Sequence, residues 1–90
     1  MTHVEIYSKS WCGYCARAKA LLDAKGVAYV DIDVTADREK ELEMIQRSGA
    51  HTVPQIFIDG AHIGGHDDLF ALAAKGNLDR LLQSDKKIAA

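Results

Sequence analysis

The sequence holds two cysteines, and they stand two residues apart in Cys12-Gly13-Tyr14-Cys15, directly after a strand-like run. Near a βαβ pattern, this spacing is typical of a thiol–disulfide redox pair. A helix that begins at the first cysteine would direct its free N–H groups and the positive end of its dipole at that sulfur, which stabilises a thiolate. The second cysteine would then lie in the first helical turn, close enough to attack a mixed disulfide made by the first.

The pattern around this motif predicts a βαβ unit. Residues 3–7 alternate between apolar and polar side chains, and residues 27–34 are rich in β-branched side chains, so each stretch is expected to form a strand. The alanine- and leucine-rich stretch 13–25 between them favours a helix that Gly26 ends. Two strands joined by a helix are expected to be parallel, with a right-handed crossover.

A second helix is predicted after the second strand. Thr35 can cap it, and Asp37 in its first turn is favourable for the helix dipole. We expect the helix to end near Ser48 and to direct Leu42 and Ile45 toward the core, because they are three residues apart.

A β-hairpin is predicted next. Asp59-Gly60 is the strongest hairpin signal in the chain, and it lies between strand-like residues 54–58 and 61–63. With the first two strands, this hairpin completes the order β-α-β-α-β-β-α. The expected fold is α/β and thioredoxin-like, with a four-stranded mixed sheet and helices on both faces.

The C-terminal third is predicted to be mostly helical. A third helix is expected to start at Asp67 or Asp68, and residues 77–82 favour one more short helical turn. Residues 84–90 are expected to form a flexible tail. The chain is therefore interpreted as one domain over residues 1–83.

Composition excludes several classes of function. The net charge is −2 and the basic residues are scattered, so neither a nucleic acid nor an anionic membrane is an expected partner. No apolar run approaches the length of a membrane span, and the charged N-terminus is unlike a signal peptide. Two cysteines are too few for a secreted disulfide scaffold, so a cytoplasmic location is expected.

Four motifs together resemble the glutaredoxins, in particular the small bacterial dithiol type, over nearly the whole chain. In order they are Lys9-Ser10-Trp11-Cys12-Gly13-Tyr14-Cys15, Thr52-Val53-Pro54-Gln55-Ile56-Phe57, Asp59-Gly60, and Ile63-Gly64-Gly65-His66-Asp67-Asp68. The resemblance implies a glutathione-dependent thiol–disulfide oxidoreductase that acts on glutathionylated or disulfide-containing proteins. It also implies that Cys12 is the nucleophile and Cys15 the resolving thiol.

The resemblance further implies a glutathione site, formed by Lys9, Tyr14, Thr52, Val53, Pro54, Gly65, His66 and Asp67. Pro54 would be a cis-proline, and the backbone of the residue before it would bind the cysteinyl part of glutathione. Lys9 would bind the glycine carboxylate, Tyr14 would flank the substrate sulfur, and residues 65–67 would bind the γ-glutamyl end. These roles agree with the chemistry of glutathione, whose two carboxylates and one ammonium require cations, N–H groups and one acid.

Gly13 departs from the pattern of many glutaredoxins, which have proline there, and a looser active-site turn is expected. Relatives that assemble a 2Fe–2S cluster between two subunits, through the nucleophilic cysteine and glutathione, often have glycine at this position. The alternative function is therefore a cluster-binding homodimer ligated by Cys12, whereas the oxidoreductase is expected to be a monomer. His66 also departs, because close bacterial relatives often have cysteine there.

Simpler roles stay open for several of these residues. Lys9 would then be a solvated lysine, Asp67 only a helix cap, and Tyr14 a surface aromatic. Trp11 either docks protein disulfides or packs on its loop. A zinc site is not expected, because Cys15 and His62 are much farther apart than the roughly 12–15 residues of zinc-finger patterns.

Overall fold

The strands and helices follow the order that the sequence predicts. This computed structural model describes residues 2–82. Its elements are β1 Val4–Ser8, α1 Gly13–Ala24, β2 Val30–Asp33, α2 Arg38–Ser48, β3 Gln55–Ile58, β4 Ala61–Gly64, α3 His66–Ala74 and α4 Asn77–Leu82. The expected tail over 84–90 and the proposed domain boundary at 83 lie outside the described residues.

The four strands form one mixed sheet in the order β2-β1-β3-β4. β1 is parallel to β2 and antiparallel to β3, and β3 is antiparallel to β4. Ile6 in the middle of β1 is opposite Asp31 on β2 and Ile56 on β3. β1 is therefore central, and its C-terminal end leads directly into the segment that carries the two cysteines.

Helices cover both faces of the sheet, as predicted. Alternation along β1 sends Val4 and Ile6 to one face and Tyr7 to the other. The first face packs on α1, α3 and α4, with a core of Val4, Ile6, Ala18, Leu22, Ile56, Ile58, Leu69 and Leu78. The second face packs on α2, with a core of Tyr7, Val34, Met44 and Phe57. Within residues 2–82, none of the helices is long and apolar enough to cross a membrane.

The second helix differs from its prediction at the cap and on its inner face. Asp37 is the N-cap, because its Oδ1 accepts a hydrogen bond from the Lys40 N–H at 3.1 Å. Thr35 instead accepts a hydrogen bond from the Ser10 N–H at 2.7 Å and so holds the loop before Cys12. Leu42 is 44% exposed, whereas Ile45 packs against the second core as expected, and the fully buried residue of the helix is Met44.

Two further boundaries differ from prediction. β2 begins at Val30, because the Val27 N–H is bound to the Leu22 carbonyl at the end of α1 rather than to the sheet. α3 begins at His66, one residue or more before the predicted start. Its cap is Gly65, whose N–H donates to the Asp68 carboxylate at 3.1 Å.

Candidate active site

Cys12 is the N-cap of α1, and its sulfur faces the free N–H groups of that helix. Its backbone is extended, with φ −102° and ψ 107°, and its Sγ accepts a hydrogen bond from the Cys15 N–H at 3.1 Å. The Ala16 N–H donates to the Cys12 carbonyl at 3.1 Å and begins the helical ladder. The predicted strand, redox turn and helix are therefore present, with the sulfur at the positive end of the dipole.

The two thiols lie in different surroundings. Both are free, but Cys12 is partly exposed and Cys15 is only 1% exposed. Burial, and then the hydrogen bond with Cys12, raise the pKa of the Cys15 thiol well above its ordinary value. Cys12 is therefore the more accessible of the two thiols, and burial favours the protonated form of Cys15.

Trp11 projects from the loop between β1 and α1. Its side chain is fully exposed, and its backbone is left-handed, with φ 63°. The structure therefore contradicts packing of Trp11 on the loop. The indole lies in solvent directly beside Cys12.

One wall of the site is the segment before β3. The Val53–Pro54 peptide bond is cis, as the resemblance implies, and the Val53 carbonyl oxygen lies 4.0 Å from the Cys12 Sγ. The Gln55 amide donates to the Thr52 carbonyl at 3.0 Å, and its own oxygen lies 2.7 Å from the His62 Nε2. Gln55 and His62 therefore hold this segment, a role that was not predicted for either residue.

A groove of about 520 Å³ runs from this segment to the start of α3, and we call it the cis-proline groove. It brings together every predicted glutathione-site residue except Lys9, namely Tyr14, Thr52, Val53, Pro54, Gly65, His66 and Asp67. The two walls are close, since a Cβ on Gly65 would lie 3.3 Å from the Pro54 carbonyl oxygen. Because Gly65, His66 and Asp67 line the groove, the N-terminus of α3 opens into it.

His66 joins α3 to α1 across this groove. Its ring lies between Tyr14 and Phe70, with ring centroids 4.8 Å and 4.4 Å away. Its Nδ1 is 2.9 Å from the Asp67 carboxylate, which is otherwise exposed to solvent. Phe70 was missed from the sequence, because it lies beyond the motif that carries the resemblance.

Lys9 lies on the other side of Cys12. It lines a second groove, of about 730 Å³, which we call the lysine groove and which is also lined by Cys12, Cys15, Lys19, Asp23 and Tyr29. The Lys9 Nζ is 3.2 Å from the Glu41 carboxylate. Arg38 first, and Lys9 second, lower the pKa of Glu41, so this carboxylate stays ionised at neutral pH and competes for Lys9.

Metal-ligating side chains are dispersed in the part of the chain that the structure describes. Residues 2–82 contain no group of three or more His, Cys, Asp or Glu side chains that could hold a metal ion. Among these residues, His62 is turned to Gln55 and His66 to Asp67.

Comparison with known proteins agrees with this geometry. A family model described as glutaredoxin matches residues 4–63, which is more than half of the 90-residue chain. The chain belongs to the glutaredoxin family. Glutaredoxin 3 of Escherichia coli is 58% identical over 83 residues, which cover 92% of this chain and 100% of that protein. A glutaredoxin of Pseudomonas aeruginosa is 46% identical over 84 residues, which cover 93% of this chain and 100% of that protein.

Solved glutaredoxin structures have the same fold. The solution structure of a glutaredoxin from Brucella melitensis superposes with a TM-score of 0.83 at 52% identity, covering 94% of this chain and 92% of that one. A buckwheat glutaredoxin–glutathione complex superposes with a TM-score of 0.82 at 35% identity, covering 89% and 76%. As a glutaredoxin, the protein is a thiol–disulfide oxidoreductase of thioredoxin-like fold, and Cys12 and Cys15 are its redox-active cysteines.

Proposed function

We propose that this glutaredoxin uses glutathione to reduce glutathione mixed disulfides and protein disulfides through the Cys12–Cys15 dithiol. The observation that carries the proposal is the placement of Cys12. Its partly exposed sulfur lies at the N-terminus of α1, between two open grooves, with a buried second thiol behind it. We further propose that the protein acts in the cytoplasm, because its chemistry requires a reducing pool of glutathione. We also propose that the oxidoreductase acts as a monomer.

The reaction is two successive thiolate exchanges. The Cys12 thiolate attacks one sulfur of the substrate disulfide, and the other sulfur leaves as a thiolate. With a glutathione mixed disulfide, a second glutathione thiolate can attack the Cys12–glutathione bond and regenerate Cys12. With a protein disulfide, Cys15 attacks Cys12 and releases the reduced protein, and two glutathione molecules then reduce the Cys12–Cys15 disulfide.

The cis-proline groove is the proposed site for glutathione. Backbone groups of Val53 lie beside Cys12 and suit the cysteinyl part of the tripeptide. The N–H groups at the start of α3 suit the γ-glutamyl carboxylate, and the exposed Asp67 carboxylate suits its ammonium. The glutathione complex of the buckwheat relative supports this ligand class. Lys9 reaches the glycine carboxylate only if it exchanges its Glu41 contact for the ligand.

The roles of the two thiols can be tested with serine variants. Cys12→Ser is expected to abolish glutathione-dependent reduction of a glutathionylated peptide, because no nucleophile remains. Cys15→Ser is expected to keep much of that activity, because glutathione releases the mixed disulfide, but to lose activity on a protein disulfide. The assay couples glutathione oxidation to glutathione reductase, with a parallel thioredoxin-reductase assay. Equal loss in both variants on the glutathionylated peptide would reject these roles.

The alternative function, a 2Fe–2S cluster between two subunits, draws support from Gly13. This residue is exposed, and apart from its neighbours in the chain and the backbone of its own helix no atom lies within 4 Å of where its Cβ would be, so the face beside Cys12 is open. Cys12 would supply one thiolate ligand per subunit, and glutathione a second. Visible absorption after anaerobic reconstitution with iron, sulfide and glutathione tests this function. Gly13→Pro is the matched variant, and we expect it to lower the yield of cluster without abolishing disulfide reduction.

A further inference from the structure

Lys19 lies one helical turn beyond Cys15 and lines the lysine groove with it. Residues four apart on a helix share one face, with Cβ atoms about 5–6 Å apart. The Lys19 Nζ is 2.6 Å from one oxygen of Asp31 on β2, and the other oxygen accepts a hydrogen bond from the buried Ser8 hydroxyl at 2.5 Å. Strands β1 and β2 therefore hold this ammonium in place, with only 27% of the side chain exposed.

The positive charge of Lys19 would favour the resolving step, in which Cys15 attacks Cys12. Cys15 must become a thiolate in order to attack, and burial, followed by the hydrogen bond with Cys12, opposes its ionisation by raising its pKa. The hydrogen bond with the Lys9 backbone and, after it, the positive charge of Lys19 act in the opposite direction and lower the pKa of Cys15. A cation held at a fixed position beside a buried thiol lowers the free energy of its thiolate more than a mobile, solvated one does.

We propose that Lys19 assists the resolving step by holding a positive charge beside Cys15, and that Asp31 is the positioning residue that holds Lys19 there. The proposal rests on the dithiol reaction proposed above. In that step Cys15 gives its proton to water in the groove, and its thiolate attacks the Cys12 sulfur. The Cys15–Cys12 bond forms, the bond from Cys12 to the substrate sulfur breaks, and the substrate leaves as a thiolate that takes up a proton.

The same charge serves the return step. The two cysteines have given two electrons to the substrate disulfide, and glutathione must now reduce the bond between them. When glutathione attacks Cys12, Cys15 leaves as a thiolate, and a thiolate of lower pKa leaves faster. Lys19 is thus expected to accelerate both the formation and the reduction of the Cys12–Cys15 disulfide. It should accelerate neither step of the reaction in which glutathione itself releases the Cys12–glutathione mixed disulfide, because that reaction does not use Cys15.

A neutral aromatic disulfide, dithiodipyridine, separates the two steps in one absorbance trace. With protein in excess, the first equivalent of thiopyridone reports attack by Cys12, in a phase whose rate depends on protein concentration. The second equivalent reports displacement by Cys15, in a first-order phase. The quantity measured is the ratio of the second rate to the first at pH 7, which corrects for any change in Cys12 itself.

Lys19→Met removes the charge and keeps the length of the side chain, and Lys19→Arg keeps the charge. Lys25→Met is a matched control, since Lys25 follows the end of α1, is also 27% exposed, and forms a similar ion pair with Asp79 at 2.8 Å. For each unit by which the pKa of Cys15 rises, the thiolate fraction falls tenfold and its nucleophilicity grows, so the second phase slows about threefold. We expect the second phase to slow about two- to threefold in Lys19→Met, to stay near the wild-type rate in Lys19→Arg, and to be unchanged in Lys25→Met.

A double variant separates the loss of the Lys19 charge from the effect of leaving the Asp31 carboxylate unpaired. Lys19→Met leaves Asp31 unpaired, and its negative charge alone could slow Cys15. In Lys19→Met/Asp31→Asn that charge is gone, while Lys9, Asp23 and Tyr29 of the same groove are unchanged. If the second phase returns to the wild-type rate in this double variant, the proposal is wrong. A second phase that stays slow, and that shifts to higher pH in a pH series, supports it.

This result is separate from the outcome for the proposed function. If wild-type protein shows no glutathione-dependent activity, the proposed function fails whatever the variants do. If wild-type activity is present and the ratio of the two phases is the same in Lys19→Met as in Lys25→Met, only the role of Lys19 is rejected. The same variants in a Cys15→Ser background should reduce glutathionylated peptide equally well, because Cys15 is absent.

Discussion

The two grooves beside Cys12 are built in different ways. The cis-proline groove is made of backbone groups, glycines and stacked rings, and it is held by the start of α3. The lysine groove is lined by side chains held in ion pairs, Lys9 with Glu41 and Lys19 with Asp31. The first arrangement favours recognition of a peptide by shape and N–H groups, whereas the second favours control of thiolate charge. Changes in the cis-proline groove should therefore affect the binding of glutathione. Changes in the lysine groove should affect the reactivity of the thiols, or the competition between Glu41 and the ligand for Lys9.

The largest expected effect comes from Gly64→Ala. Gly64 has φ 124°, and a Cβ there would lie 2.2 Å from the Asp68 Oδ2 that caps α3. Strain of about 1–3 kcal/mol at this φ and loss of a cap of about 1 kcal/mol predict a fall of about 2–4 kcal/mol in the free energy of unfolding. Urea unfolding measures it, with Gly60→Ala as the control, since Gly60 has φ 82° but open space around its Cβ. Equal losses in the two variants would show that the Asp68 contact is unimportant.

Asp67→Ala tests recognition in the cis-proline groove. Loss of a charge-assisted hydrogen bond to the γ-glutamyl ammonium costs roughly 1.5–3 kcal/mol, which raises the KM for glutathione about ten- to a hundredfold. The alkylation rate of Cys12 should not change. Asp68→Ala is the control, because Asp68 binds the Gly65 N–H and its loss should lower stability by about 1 kcal/mol. An unchanged KM in folded Asp67→Ala would remove Asp67 from the site.

His66→Ala is expected to have a smaller effect on the same groove. It removes the ring between Tyr14 and Phe70, and aromatic pairs of this kind contribute about 0.5–1.5 kcal/mol. The KM for glutathione should rise about fivefold, measured by steady-state kinetics. His66→Phe keeps a ring and should stay within about twofold of wild type. If both variants lose affinity equally, the imidazole itself binds the ligand.

Glu41→Gln carries the comparison to the lysine groove and has the smallest expected effect. Removing the Glu41 charge frees Lys9, so the KM for glutathione should fall about two- to threefold, as expected for an exposed ion pair. Lys9→Met should raise it instead. Glu39→Gln, in the same first helical turn, controls for a general loss of negative charge. A KM that is unaffected by both Glu41→Gln and Lys9→Met would mean that Lys9 serves only its ion pair.

Much of the fold could be predicted because it depends on local patterns. The alternation of β1, the alanine-rich α1 and the Asp59-Gly60 turn fix the order of elements, and each is visible within a few residues. The face of α2 was harder to predict. Leu42 and Met44 are both apolar, and only the packing of α2 against Tyr7 and Phe57 decides that Met44 is buried.

The site was predictable where one motif holds both partners, and not where partners come from distant segments. The sequence places Lys9 near Cys12, but not the Glu41 carboxylate that holds it from α2. The contact of Lys19 with Asp31 likewise depends on how α1 packs beside β2. Such pairs follow from tertiary packing, which residue spacing does not encode.

The exposed side chain of Trp11 gives this protein a built-in optical probe. It is the only tryptophan in the chain, its indole is fully solvated, and it directly precedes the redox-active Cys12 in the sequence. Its fluorescence should therefore be quenched efficiently by acrylamide in the free protein. Any polypeptide that settles over the sulfur must shield the indole, so the Stern–Volmer constant measures substrate docking without a label.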